Sequence, residues 1–414
     1  MRTAKFIQSI LFLLLSIISF SAKAQDLHPQ IQGLKNDVVY LSADYLKGRE
    51  SGKETARMAA NYVAYRMQEI GLEPKGKDGT WFYDFDFKFR PNPHSKEGME
   101  DRVGRDVVGY IDNKAKNTVI IGAHFDHLGM GIPGSLYVGD PAVHNGADDN
   151  ASGVAAILSL AERLKKGAAK KHNYLIIAFS GEELGLFGSK AYAENPTIDF
   201  SKVSYMINLD MVGRLKAERV LAIGGVGSSP SFIPAIESVD VHGIKAKTTA
   251  SGIGPSDHTS FYLKDLPVLF FFTGQHSDYH KPTDDAEFIN FEGLSDVTDY
   301  VMAIIKKLDK TKKLEFTKTK EEKKDKSAAK FKVTLGVMPD YVYDGIGMRI
   351  DGVLEDRPAK KAGFIKGDIV IKIGDTEVKD IYDYMDGLSK YKAGDKAMVT
   401  VLRDGKIVKS EVVF

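Results

Sequence analysis

The sequence predicts an α/β protein with a mostly parallel central sheet flanked by helices, followed by a small β-rich domain. Three observations predict it. The runs NTVIIGAHFD, NYLIIAFSGEE, VSYMINLDM and LPVLFFFTG are too apolar for half-exposed strands. Helix-length segments such as SGVAAILSLAERLKKG and GLFGSKAYAEN separate several of them. Beyond Phe331, short alternating strands return, punctuated by DGIG, AGDK and RDGK. Buried strands alternating with helices argue a parallel sheet covered on both faces, whereas short alternating strands between turn residues argue a separate β-rich unit. At 414 residues the chain also exceeds the usual size of one hydrophobic core, so two folded units are expected.

Taken in order, residues 1–24 combine a basic start, an apolar stretch from Ile10 to Phe20 and the small-x-small triplet Ala22, Lys23, Ala24. This is the pattern of a secretory signal peptide cut before Gln25, and the apolar stretch falls short of the ~20 residues a membrane span needs. The expectation is an exported protein, periplasmic or secreted, with no stable membrane insertion after cleavage. The formal charge of +1 becomes −2 once the three basic leader residues Arg2, Lys5 and Lys23 are gone, so nothing points to a nucleic-acid or anionic-membrane partner. Cysteine is absent. Disulfides, a lipoprotein anchor and thiolate ligands are thereby excluded, and any metal must be held by His and carboxylate.

Residues 54–70, ETARMAANYVAYRMQEI, set Ala, Met, Tyr and Ile at helical spacing before the stop signal Gly71. A catalytic unit is expected over residues 25–309. The mixed-charge stretch KKLDKTKKLEFTKTKEEKKDKSAAK has almost no apolar periodicity, and its portion 310–329 reads as a solvated linker. Residues 330–414 form the second domain.

Each buried run of the catalytic unit ends in groups able to bind metal: His124 and Asp126, Glu182 and Glu183, Asp210, and then His276, Asp278 and His280. In open α/β sheets ligands bind beyond the carboxyl ends of the strands, so these groups are expected to converge on one crevice. Asp126, two residues from His124, shares its face in extended geometry and can fix the imidazole by accepting its other N–H. The adjacent acids of GEELG are costly to desolvate together unless a cation or a proton neutralises one. Two His and several carboxylates without thiolate suit zinc, with manganese or cobalt as substitutes. Two dications side by side would in turn explain HNGADDNASG, where one crowded aspartate bridges them and small neighbours admit the backbone. The residues alone leave Asp148 and Asp149 equal.

The motifs GAHFDHLG, HNGADDNASG, SGEELGLFGS, NLDMVG, GPSDHTSF and DYHKPTDD, in this order, resemble those of the co-catalytic zinc aminopeptidases of peptidase family 28, whose zinc exopeptidase-like α/β/α fold the resemblance extends over roughly residues 40–305. The resemblance implies that Asp149 is the bridging ligand, that His124 and Asp210 complete one zinc site, and that Glu183 and His280 complete the other. It further implies Glu182 as general base, Asp126 as the residue orienting His124, Tyr279 as a stabiliser of the tetrahedral intermediate, and a cis peptide between Asp149 and Asn150. His127 stands where some members have Ser. Met211 and Phe261, flanking Asp210 and the SDH segment, are candidates for the substrate side-chain pocket.

The segment RPAKKAGFIKGDIVIKIG resembles a bacterial PDZ domain, which places Leu335, Gly336 and Val337 at a carboxylate-binding loop and groove edge where a peptide C-terminus adds as a strand. The functional expectation is an exported zinc aminopeptidase, carrying two Zn2+, that removes N-terminal residues from peptides through a metal-activated water and a Glu general base. Its rivals are a non-catalytic peptide-binding or receptor-like module on the same fold, a one-zinc glutaminyl cyclase, and a carboxypeptidase.

Overall fold

The computed structural model describes residues 28–89, 99–132, 134–319, 333–339, 343, 345–353 and 357–414. The expected signal peptide, 1–24, and the linker portion 320–329 lie outside the described residues.

Helices α1 (Pro29–Leu41) and α2 (Glu54–Ile70) come first. α2 turns Ala56, Ala59, Ala60, Val63 and Met67 inward and ends at Gly71, whose φ of 86° is the left-handed cap that glycine adopts without a Cβ penalty. The strands then follow as β1 (Glu73–Pro74), β2 (Phe82–Phe89), β3 (Glu100–Ile111) and β4 (Thr118–His124). Helix α3 (Gly153–Lys165) leads to β5 (Asn173–Phe179), and α4 (Phe187–Glu194) to β6 (Val203–Leu209). Next come β7 (Val220–Gly224), α5 (Phe232–Glu237), β8 (Lys245–Thr248), α6 (His258–Tyr262), β9 (Val268–Phe272) and α7 (Phe291–Leu308).

Nine strands make one mixed, mostly parallel sheet in the order β1-β3-β5-β4-β6-β9-β7-β8, with β2 paired to β3. β5, β4, β6 and β9 run parallel at its centre, while β1, β2 and β3 extend one side antiparallel. Successive residues of the central strands enter different cores. Val119, Ile121, Ile176 and Ile207 pack on the face covered by α1, α2, α3 and α7. Ile120, Leu175, Ile177 and Met206 pack on the other, against Tyr192 of α4, Phe261 of α6 and the β2 aromatics. Burial on both faces is why these strands read as unbroken apolar runs, and it leaves their carboxyl ends as the place where polar groups can gather.

One sequence expectation needs correction. Residues 314–319, read as part of a solvated linker, lie against the catalytic unit. Leu314 is buried, Phe316 packs on the ring of Tyr262, and the amide of Thr319 donates to the Tyr262 hydroxyl at 2.9 Å. In the sequence the surrounding lysines mask these two spaced apolar residues, and the segment is held further by Leu314 N donating to Ser204 Oγ and Thr317 N to Ser228 O.

The second domain contains β10 (Val337–Pro339), β11 (Met348–Val353), α8 (Pro358–Lys361), β12 (Ile369–Ile373), β13 (Thr376–Glu377), α9 (Ile381–Ser389), β14 (Lys396–Arg403) and β15 (Lys406–Val413). Its antiparallel sheet runs β10-β11-β12-β14-β15 around a core that includes Leu335, Ile350, Phe364, Val370 and Val399. The Leu335 side chain packs into this core, and its carbonyl accepts from Ala359 N at 2.8 Å. Gly336, at φ 76°, turns the chain into β10, where Val337 pairs with Val353 at the sheet edge. Among the described residues, no helix is long and apolar enough to cross a membrane.

Candidate metal centre

The polar groups at the strand ends do meet. His124 is the last residue of β4, Glu182 and Glu183 follow β5, Asp210 follows β6, and His280 lies in the loop after β9. Asp149 sits in the turn Ala147–Ser152 that leads into α3. Its Oδ1 is 3.3 Å from His124 Nε2 and its Oδ2 is 3.3 Å from His280 Nε2, so one carboxylate spans both rings. His124 Nε2 is also 3.4 Å from Asp210 Oδ1, and His280 Nε2 is 3.1 Å from Glu183 Oε2.

These spacings carry chemical information. A tetrahedral zinc with bonds of about 2.0–2.1 Å places its ligand atoms about 3.3 Å apart. The four His–carboxylate distances, 3.1–3.4 Å, match that edge length, and among the described residues His124, Asp149 and Asp210 form one potential metal-holding group and His127, Asp149 and Glu183 a second. The structure thus contains two adjacent buried His/carboxylate groups consistent with a binuclear metal site.

The surroundings fix these donors. His124 Nδ1 lies 3.2 Å from the backbone carbonyl of Asp126 and 3.7 Å from its Oδ1, which also accepts the amide of Glu182 at 3.2 Å. Asp126 therefore holds the imidazole chiefly through its main chain, while its carboxylate ties the β4 end to the Glu182 turn. Asp210 Oδ2 accepts from Ser256 Oγ at 2.7 Å. The ring of Tyr279 stacks on that of His280 with centroids 3.8 Å apart. Gly134 O accepts from His280 Nδ1 at 2.8 Å, which leaves Nε2 to face Asp149 and Glu183.

Asp148 and Asp149, equal in sequence, separate in space. Asp148 turns away: its Oδ1 accepts from Gly213 N at 2.7 Å and Ser152 Oγ at 3.0 Å, and its Oδ2 faces His276 Nε2 at 3.2 Å. The Asp149–Asn150 peptide bond is cis. Asn150 locks the turn, its Nδ2 donating to Leu209 O and its Oδ1 accepting from Gly153 N and Met211 N.

The acids divide in proton affinity. Burial works against every charged form. Against it, His124 and His280 hold Asp149 well below the usual carboxylate range, and His280 with His127 keeps Glu183 down at about 2. Glu182 faces the opposite balance. Burial, with Glu183, Asp210 and Asp257 nearby, pushes it well above the ordinary glutamate value despite the opposing pull of His124. Burial likewise raises Asp257 to about 7, aided by Asp126 and Asp210. For His124, burial disfavours the cation, but Asp210 and Glu182 outweigh it and raise the ring well above its usual value.

Several polar atoms here have no partner: Asp126 Oδ2, His127 Nε2 and both oxygens of Asp257 are buried without a hydrogen bond. His127 is the main residue that the ligand reading passed over. It is fully buried, and its Nδ1 is 2.6 Å from Glu183 Oε1. The substrate-pocket expectations fare less well. Phe261 is wholly buried among Phe179, Tyr192 and Phe200, so it belongs to the core and lines no pocket. Met211 is also buried, at φ 50°, its carbonyl accepting from Thr273 N and Oγ1. The three main-chain groups that hold Asn150, next to Asp149, escaped notice because backbone contacts leave no residue-type signal.

Comparison with known proteins agrees with this geometry. Residues 106–305 match peptidase family M28, and residues 314–413 match the PDZ domain. Aminopeptidase YwaD of Bacillus subtilis (strain 168) is 30% identical over 198 residues, covering 45% of this chain and 40% of that protein. The chain spans from about a third to two thirds of the length of the curated relatives it matches. The fold is similar to that of BSAP, a zinc aminopeptidase from Bacillus subtilis, with a TM-score of 0.54 at 18% identity over 70% of this chain and 99% of that one. It is also similar to the glutaminyl cyclase of Porphyromonas gingivalis, with a TM-score of 0.52 at 15% identity over 66% of this chain and 97% of that one. The chain carries a peptidase family M28 domain followed by a PDZ domain.

Proposed function

We propose that the protein is an exported, zinc-dependent aminopeptidase that removes N-terminal residues from peptides. The observation that carries the reading is Asp149, whose two oxygens each approach a different histidine at ligand spacing while Asp210 and Glu183 complete the two sides. The donor set fits two zinc ions: His124, Asp149 and Asp210 would hold one, and His280, Asp149 and Glu183 the other. The chemistry that two such ions supply is activation of water as a nucleophile and polarisation of a carbonyl.

The chain's own residues supply the proton traffic and the orientation. Glu182 sits beside this set with a raised proton affinity, which suits a carboxyl that takes a proton from the attacking water and returns it to the leaving amine. Asp149 and Glu183 stay anionic across the working range, as ligands must. Ser256 and Asp126 hold Asp210 and His124 in place. In the second domain, the edge strand β10 beside Gly336 and Val337 would take a peptide C-terminus by strand addition, holding substrate near the metal centre.

The test compares free and N-acetylated peptides, with and without chelator, beside Glu182→Gln. Hydrolysis confined to free N-termini, lost on chelation and restored by zinc, is expected. Glu182→Gln should retain both ions and lose about 10²–10⁴-fold in kcat. Cleavage that ignores the chelator, or equal cleavage of blocked peptides, would overturn the aminopeptidase reading, and metal loss in Glu182→Gln would overturn the separation of base from ligands.

A further inference from the structure

The turn that carries Asp149 is gripped from two sides by residues distant in sequence. On one side stands Arg49, wholly buried although it carries a full positive charge. Its Nε donates to Phe125 O at 2.6 Å, between His124 and Asp126. Its Nη1 donates to Asn145 O at 2.6 Å and to Leu41 O, and its Nη2 donates to Gly146 O at 3.0 Å. All four of these partners are backbone carbonyls. On the other side stands Asp284, also wholly buried. Its Oδ2 accepts the amides of Asp148 and Asp149, each at 3.0 Å, and its carbonyl accepts the amide of Ala147 at 2.9 Å. Five consecutive residues, 145–149, are thus tied through the main chain, carbonyls to the guanidinium and amides to the aspartate.

The backbone is bent to allow this. Lys47, Gly48 and Arg49 all adopt positive φ, at 45°, 67° and 48°. For the two non-glycine residues that conformation is unfavourable by about 1 kcal/mol or more each, and it turns the Arg49 side chain inward. A Cβ on Gly48 would stand 2.5 Å from Gly129 O and 2.6 Å from His144 O, so this turn must press directly on the chain leading to Asn145. Arg214 Nη2, 3.4 Å away, and His276 Nε2, 4.0 Å away, face Asp284 Oδ1 and offset its charge.

We infer that Arg49 and Asp284 are positioning residues that form a two-sided backbone clamp, setting Asp149 where its two oxygens reach both halves of the metal centre. The inference rests on the proposed binuclear centre for its consequences, while the clamp consists of protein–protein hydrogen bonds alone. Residues that orient metal ligands without touching metal typically shift affinity or activity 10–100-fold when removed.

The full-length chain tests this with three measurements on Asp284→Ala, Asp284→Asn and Arg49→Lys: amide exchange over residues 145–149 without metal, zinc affinity by chelator competition, and the kcat-against-KM split. Asp284→Ala should accelerate exchange at residues 148 and 149 and weaken zinc 10–100-fold, with kcat falling and KM within about threefold. Asp284→Asn keeps an oxygen that can accept both amides and should recover most of the affinity. Arg49→Lys keeps the charge but loses the fork, and should weaken zinc about tenfold. Wild-type zinc affinity in both Asp284→Ala and Arg49→Lys would overturn the clamp, as would a uniform loss of thermal stability with unchanged local exchange. If Arg49→Lys fails to fold, Asp284→Ala decides alone. A wild-type chain that binds no zinc would end the metal-centre reading, whereas exchange at residues 148 and 149 would still judge the clamp.

Discussion

His124 and His172 lie at opposite ends of the central strands, each buried and each beside an aspartate, yet their surroundings follow different rules. At the amino end of β5, Asp309 accepts from the amides of Lys170 and Lys171, from His172 Nδ1 at 3.2 Å and from the Tyr174 hydroxyl at 3.1 Å. One carboxylate meets four donors, and the cluster is closed. At the carboxyl end, five carboxylates, Asp126, Asp149, Glu182, Glu183 and Asp210, crowd around His124 and His280, and buried oxygens are left without partners. A buried anion without enough donors is costly. Such an excess is therefore tolerated where a cation completes the balance. A third group refines the contrast. His242, Asp296 and Asp299 also stand at ligand spacing, but Arg219 and Arg163 already pair with the two acids on an exposed surface. Spacing alone does not separate the three groups; the balance of charge does.

The largest effects should come from breaking this contrast at its centre. Asp149→Ala removes the oxygen from both sides at once, so zinc stoichiometry should fall below two and kcat/KM should drop by at least about 10³-fold, as checked by elemental analysis and peptide hydrolysis. Asp309→Ala should do the reverse. It strands buried donors and should cost about 2–4 kcal/mol of stability in denaturant unfolding, while zinc stoichiometry stays at the wild-type value. Loss of metal in Asp309→Ala, or full metal binding in Asp149→Ala, would erase the distinction.

Much of the carboxyl-end cluster was legible in the sequence because parallel β-strands place their last residues at a common edge, so the polar groups at and after the ends of four apolar runs were expected to converge. What could not be read followed from direction. Adjacent side chains in an irregular turn point apart, so residue types alone left Asp148 and Asp149 equal and only the family resemblance favoured Asp149; the structure aims Asp149 at two rings and Asp148 at Gly213 and Ser152. The contacts of Arg49 and Asp284 run to main-chain atoms, which any residue offers. Phe261 was misplaced because an apolar residue beside a polar motif has the same signature in a core as in a pocket. Leu314 and Phe316 were lost among lysines.

Acidity offers a sharper and smaller test. Asp257 is raised to about 7 in the folded chain, above an unfolded value of about 3.9. Between those values the folded state binds the extra proton, so stability of the metal-free chain should be fullest below pH ~4 and fall as pH rises toward 7, by up to roughly 4 kcal/mol from this group. His124 and His280, also raised, add a loss that begins above about pH 6.5. Glu183, held at about 2, acts in the other direction, with stability lost as pH drops below about 4.3 toward 2. Asp257→Asn should flatten the slope between pH 4 and 7 in chelator-treated protein, measured by denaturant unfolding at each pH. Zinc requires deprotonated ligands, so the stability gained on adding it should widen from pH 5 to 8. A gain independent of pH would mean that these histidines do not meet the ion.

The smallest expected effect separates two neighbours of Glu183. His280 Nε2 faces both Glu183 and Asp149, at 3.1 and 3.3 Å, whereas His127 Nδ1 faces Glu183 alone among these contacts, at 2.6 Å. Geometry admits either ring as the third member beside Asp149 and Glu183: His127 groups with them at ligand spacing, and His280 approaches both carboxylates directly. The second contact favours the proposed role of His280 as ligand, with His127 as the neighbour that helps keep Glu183 anionic. His280→Ala should lose one zinc of two. His127→Ser should keep both, with zinc affinity down by no more than about tenfold, because a hydroxyl can replace an N–H donor but not an imidazole ligand. Loss of one zinc in His127→Ser, with two retained in His280→Ala, would exchange the roles of the two rings and move the second half of the centre toward β4.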